Sequence, residues 1–188
     1  MKRKQVPLEA PPRASRRVSS IVIVNTGDGK GKSTAAFGTM LRAVARGWKV
    51  GVVQFVKGGR WKVGEREIAD RLGVDWQTIG DGFTWDSRDL ARSEAVAQDA
   101  WRAAKELIGA GRHQLVVLDE ITYPINWGWI PIADVVSAIR ARPAVVNVIL
   151  TGRDAPDELV ELADTVTEMR NRKHAFDLGV KAIRGIDF

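Results

Sequence analysis

Ile21-Val22-Ile23-Val24-Asn25-Thr26-Gly27-Asp28-Gly29-Lys30-Gly31-Lys32-Ser33-Thr34 is the stretch that decides the fold. Its first four residues are apolar and β-branched, as a buried strand requires. From Ser33 to Arg46, Ala36, Phe37, Met40, Leu41, Val44 and Ala45 recur at helical spacing, and Gly47 is placed to end the helix. The glycines between strand and helix let the backbone wrap closely around an anion. Successive N–H groups and the helix N-terminus turn positive ends toward it, Lys32 adds a charge, and the Ser33 hydroxyl can reach a Mg²⁺. Thr26, Gly27, Asp28, Gly29, Lys30, Gly31, Lys32, Ser33 and Thr34 are therefore the candidate nucleotide-binding residues.

One letter departs from the common spacing, which asks for glycine five residues before Gly31, where this chain has Thr26. A dinucleotide fingerprint started at Gly27 would need glycine where Lys32 stands, so an NAD site is excluded on the letters. A glycine-rich turn with an incidental lysine is the bland alternative.

Further along, Leu115-Val116-Val117-Leu118 runs directly into Asp119-Glu120. A buried strand ending in an acid pair matches the second half of a phosphate-binding site, where a carboxylate meets the metal on the phosphates; a strand ending in a charged turn is the competing reading. Arg153, in Thr151-Gly152-Arg153, follows another apolar strand over 144–150 and could brace a phosphate or an acidic neighbour.

The rest of the chain alternates in the same way. Strands are expected over 49–55, 74–79 and 165–169, and helices over 65–72, 93–108, 132–140 and 156–163. Pro124 and Gly128 forbid a regular helix throughout 121–131. This order predicts a single α/β domain of the RecA-type P-loop class, a mostly parallel sheet with helices on both faces.

Composition narrows the function classes. Cysteine is absent and His113 and His174 are the only histidines, which excludes disulfides, thiolate clusters and multi-histidine metal sites. The net charge of +6 sits largely in residues 1–18, which carry six basic residues against Glu9, so the body from residue 19 is nearly neutral. That segment reads as a flexible extension, without the apolar core of a secretory signal. A cytoplasmic protein without membrane or nucleic-acid partner is expected.

Gly82-Phe83-Thr84-Trp85 places two aromatics in a turn-like stretch, either as a small loop core or as a flat ligand platform. Lys57-Gly58-Gly59-Arg60-Trp61-Lys62 is a basic loop expected at the ligand-binding edge of the sheet.

Gly27 to Ala36, Gly51-Val52-Val53-Gln54-Phe55-Val56-Lys57-Gly58, Gly82-Phe83-Thr84-Trp85, Leu118-Asp119-Glu120 and Lys173-His174-Ala175-Phe176-Asp177 occur in this order. Together they resemble the corrinoid adenosyltransferases of the CobA/CobO/BtuR type, over about residues 20–188. The resemblance implies transfer of the 5′-deoxyadenosyl group of ATP to the Co(I) centre of a corrinoid, with release of triphosphate. It implies ATP bound in the reverse sense along the loop, with Lys32, Ser33, Asp119 and Glu120 in catalytic roles. Mg²⁺ would be held by Ser33 and Asp119, with Glu120 close by. Phe83 and Trp85 would lie against the lower face of the corrin, a flavoprotein would supply electrons, and the chain would form a homodimer. Thr26 is the usual residue of that family. Asn126, Trp127, Gly128, Trp129, Leu178 and Phe188 depart from its pattern, which bears on the choice of corrinoid. A RecA-like, nucleic-acid-stimulated ATPase and a small-molecule kinase are the competing functions.

Overall fold

The structure, a computed structural model, describes residues 16–56, 64–80 and 90–187. Residues 1–15 of the basic N-terminal segment, the basic loop at 57–63, the stretch 81–89 with Phe83 and Trp85, and Phe188 lie outside these.

Six parallel strands form one sheet: β1 (Val22–Thr26), β2 (Val50–Gln54), β3 (Asp75–Thr78), β4 (Leu115–Asp119), β5 (Asn147–Thr151) and β6 (Thr165–Glu168), in spatial order β3-β2-β4-β5-β1-β6. The long helices are α1 (Lys32–Ala45), α2 (Gly64–Arg71), α3 (Leu90–Gly109) and α5 (Ile132–Arg140). The short ones are α4 (Thr122–Asn126) and α6 (Asp157–Leu162). Parallel neighbours need long crossovers, and the helices supply them.

Alternation along each central strand divides the core in two. Val22, Val24, Val53, Val116, Leu118, Val148 and Leu150 point to the face covered by α3, α5 and α6. Val50, Val52, Leu115, Val117 and Ile149 point to the other, against Ala36, Phe37 and Met40 of α1 and Ala69 of α2. Each such side chain, once fully buried, contributes about 1.5–3 kcal/mol. This double burial is why the strands read as unbroken apolar runs. The outer strand β6 is exposed at all four positions, and its threonines and Glu168 suit an edge.

The expected helix and strand set is present, with ends moved by a few residues. The aromatic stretch after β4 resolves into one turn of helix, α4, with Pro124 at its third residue, where the missing N–H costs no helical bond. Gly128 follows at φ 76°. Tyr123 then stacks on Trp127, and Trp127 meets Trp129 at a tilt of 58°, with ring centroids 5.7 and 4.8 Å apart. His113 is structural, as its position before β4 suggests. It is buried, its Nε2 lies 3.5 Å from an Asp75 oxygen, and burial pulls its pKa down.

Candidate functional site

The C-terminal ends of β1, β4 and β5 bring the sequence motifs to one edge. The loop after β1 closes with Gly31 at φ 112°, and α1 begins at Lys32 with no side-chain cap and no acidic residue in its first turn. Among the described residues its first N–H groups have no capping oxygen from a side chain, and the positive helix end faces the loop. Asn25, buried at the end of β1, donates from Nδ2 to the Lys32 carbonyl at 3.3 Å and fixes where the helix starts.

Lys32 reaches back across the loop, its Nζ donating to the carbonyls of Gly27 at 2.7 Å and Gly29 at 2.8 Å. Burial depresses its pKa below the ordinary 10.5. Arg153 pushes the same way, while Asp28, Glu120 and Asp154 oppose. These charged groups all act on the one ammonium through space. Arg153 also pairs with Asp28 at 3.8 Å.

Thr26 has a task that the sequence did not reveal. Its hydroxyl accepts the N–H of Ala155 at 3.1 Å, tying the loop after β5, with Arg153, to the end of β1. Gly152 in that loop sits at φ 144°, and a Cβ there would come within 1.9 Å of Thr122 Oγ1. Thr122 in turn donates to the Arg153 carbonyl at 2.6 Å, and Asn126 Nδ2 to the Asp154 carbonyl at 2.9 Å. Arg153 is thus presented by a loop pinned from two sides.

Asp119 is fully buried at the end of β4, with both carboxylate oxygens held. Gln54 Nε2 from β2 donates to Oδ2 at 2.8 Å, and Thr151 Oγ1 from β5 donates to Oδ1 at 2.8 Å. Thr151 also accepts the N–H of Glu120 at 2.9 Å, and Glu120 takes the left-handed φ of 64°, unusual for a residue with a side chain. Nothing in the sequence marks Gln54 and Thr151 as site residues; they act through Asp119 from the strands on either side of it.

The donor chemistry at this edge suits Mg²⁺. Ser33 offers a hydroxyl, and Asp119 and Glu120 carboxylates. Each Asp119 oxygen keeps a lone pair beyond its hydrogen bond. Among the described residues no group of three His, Cys, Asp or Glu converges as a metal cage. Few protein oxygens, with phosphates and water completing the shell, is the arrangement Mg²⁺ favours.

The C-terminal stretch lies over the loop. Met169 donates its N–H to the Thr26 carbonyl at 2.8 Å, and its own carbonyl accepts the N–H of Gly29 at 2.6 Å. A Cβ on Gly27 would stand 2.5 Å from the Met169 carbonyl oxygen, and one on Gly29 2.8 Å from it, so this packing too requires the glycines. Lys30 pairs with Asp187 and not with the centre of the loop. A separate apolar cavity of about 270 Å³ lies between the far end of α1 and the first residues of β1, β4 and β5. It is remote from the charged edge and has few polar groups.

A strand–glycine loop–helix with a lysine in its mouth, faced by a buried acid from a strand of the same parallel sheet, defines a P-loop nucleotide-binding protein. The family model described as ATP:corrinoid adenosyltransferase BtuR/CobO/CobP matches residues 19–188. The chain belongs to this family. It is 48% identical over 168 residues to a corrinoid adenosyltransferase of Escherichia coli, covering 89% of this chain and 85% of that one. To the corrinoid adenosyltransferase CobA of Salmonella typhimurium it is 47% identical, with the same coverage. A corrinoid adenosyltransferase of Pseudomonas aeruginosa is 41% identical over 190 residues, spanning all of this chain and 93% of its own.

Proposed function

We propose that the protein transfers the 5′-deoxyadenosyl group of ATP to the Co(I) centre of a corrinoid, in adenosylcobalamin biosynthesis. The cobalt electron pair forms a bond to the ribose 5′ carbon, the carbon–oxygen bond breaks, and its electron pair leaves on triphosphate. Cobalt ends as Co(III). The observation that carries the reading is Lys32, held in the mouth of the loop between the uncapped start of α1 and Arg153.

The catalytic demand is to stabilise charge on the oxygen leaving carbon. Lys32, the first N–H groups of α1 and Arg153 meet it by placing positive ends around the triphosphate. For that, Lys32 exchanges the carbonyls of Gly27 and Gly29 for phosphate oxygens. Ser33 and Asp119, with Glu120 beside them, would hold Mg²⁺, which when bound supplies charge neutralisation to the phosphates. Gln54 and Thr151 keep the Asp119 carboxylate aimed at this position. Phe83 and Trp85 serve as the corrin platform, displacing the lower axial base. Losing that donor makes reduction of Co(II) by a flavoprotein feasible. A homodimer in the cytoplasm, each chain a single domain preceded by the basic segment 1–18, completes the reading.

The products of ATP test it against its rivals. Adenosyl transfer yields triphosphate in step with corrinoid alkylated, whereas an ATPase yields ADP and phosphate and a kinase yields ADP with a phosphorylated acceptor. Accumulation of ADP in the presence of Co(I) corrinoid would overturn the proposal.

A further inference from the structure

The family's chemistry explains the phosphate loop but not the cavity beside it. The stretch from Met169 to Asp187 is fastened to the loop at both ends, by the Met169–Gly29 and Met169–Thr26 hydrogen bonds and by the Lys30–Asp187 pair. Asp187 is itself oriented by the Ile183 N–H, which donates to its Oδ2 at 2.8 Å. Between these attachments a cavity of about 490 Å³ opens against Gly29 and Lys30.

Its lining combines two chemistries. Arg172, Lys173 and Lys181 face it, and among the described residues none of the three has an ion-pair partner. Phe176 and Ile186 line it too, at 74% and 77% exposed, an unusual cost for large apolar side chains. His174 Nδ1 accepts the N–H of Phe176 at 3.0 Å, so its Nε2 carries the proton and is a donor. Apolar walls, unpaired cations and a donor suit a ligand with an apolar body and an acidic rim. The volume falls in the range of drug-sized ligands, room for one edge of a macrocycle rather than the whole.

We propose that this cavity is a corrinoid-rim subsite in which Arg172, Lys173 and Lys181 bind peripheral carboxylates, so that the protein prefers corrinoids with free acid side chains over fully amidated ones. The proposal rests on the corrinoid adenosyltransferase reading and adds to it which corrinoids are favoured and by which residues. Lys30, neutralised by Asp187, closes the wall and does not take part in the selection. Because the cavity shares Gly29 with the phosphate loop, the selected rim is held beside the nucleotide.

The test compares equilibrium dissociation constants of two Co(II) corrinoids, cobyrinic acid a,c-diamide and cobinamide, at saturating ATP, for wild type and Arg172→Ala/Lys173→Ala. Removing two charge-assisted hydrogen bonds should weaken the acid-bearing corrinoid by about tenfold or more, at about 1.4 kcal/mol per decade. Cobinamide presents amides in place of those carboxylates and should change less than about twofold, the small effect of deleting solvent-exposed charges. ATP affinity should not move. Arg172→Lys should keep most of the preference, and the thermal midpoint of every variant should match wild type. Equal losses for both corrinoids, no loss for either, or a loss confined to ATP, which would assign the cations to nucleotide phosphates, each overturns the proposal. Binding is read without turnover. A protein that shows the preference yet fails to adenosylate would sink the proposed function and leave the subsite standing.

Discussion

The hydroxyl of Thr151 donates to the Asp119 carboxylate at 2.8 Å while accepting the N–H of Glu120 at 2.9 Å. One buried side chain on β5 thereby fixes both acids at the end of β4. It does so from between β4 and the strand that carries the phosphate loop.

Thr151→Val keeps the shape and removes both bonds. Unsatisfied buried groups cost about 1–3 kcal/mol, so chemical denaturation should show a loss of that order. The Mg²⁺ concentration for half-maximal activity should rise by about tenfold, a typical effect of losing a partner that orients a ligand. Thr151→Ser, which keeps the hydroxyl, should restore the Mg²⁺ requirement even where stability remains reduced. Loss of stability alone, with unchanged Mg²⁺ dependence, would make Thr151 merely structural.

Gly152→Ala should be among the worst single substitutions in the fold. Its Cβ would overlap Thr122 Oγ1, and its φ of 144° is strained for any side chain. A penalty of about 3 kcal/mol or more is expected from strain and overlap together. Adding Thr122→Ala should recover most of the overlap but not the strain, less the lost Thr122–Arg153 hydrogen bond. Denaturant midpoints of the two variants measure the split.

Much of the fold was legible because strands buried on both faces are written as apolar runs, and the crossover helices as periodic ones. Leu115–Leu118 and Ile21–Val24 left little freedom. The phosphate loop and the acid pair were legible as local letters with a mechanism. What the letters did not show was pairing at long range. Thr26 reaches Ala155, Gln54 reaches Asp119 and Gly29 reaches Met169, and nothing in the spacing of either partner marks the other. Thr26 illustrates the point: as a letter it is a departure from a glycine spacing, and as a hydroxyl it clamps the loop that presents Arg153.

The depressed pKa of Lys32 has a definite sign. Its ammonium disfavours the fold below the lowered pKa, and that cost is gone above 10.5, where the lysine is neutral folded or unfolded. Stability therefore rises with pH through the window between them. ATP needs the charged form, so its affinity should fall as pH rises above the lowered pKa, by at most about tenfold per pH unit for one proton. Calorimetry in buffers of differing ionisation enthalpy should find proton uptake on binding. Lys32→Arg, charged throughout, should show none, and equal uptake in both would assign the proton elsewhere.

Phe83→Ala with Trp85→Ala separates a corrin platform from a loop core. The double variant should lose turnover from Co(II) with a reducing partner by about a hundredfold, a loss of about 2.7 kcal/mol in transition-state stabilisation, and lose much less from chemically reduced Co(I). Equal losses in the two assays would contradict the platform role.

Substitution at carbon is read most directly from the absorption spectrum of protein, ATP, Mg²⁺ and chemically reduced Co(I) corrinoid, followed by exposure to light. A cobalt–carbon product that light destroys should appear, formed one for one with triphosphate. An unchanged corrinoid spectrum with ADP accumulating would contradict it.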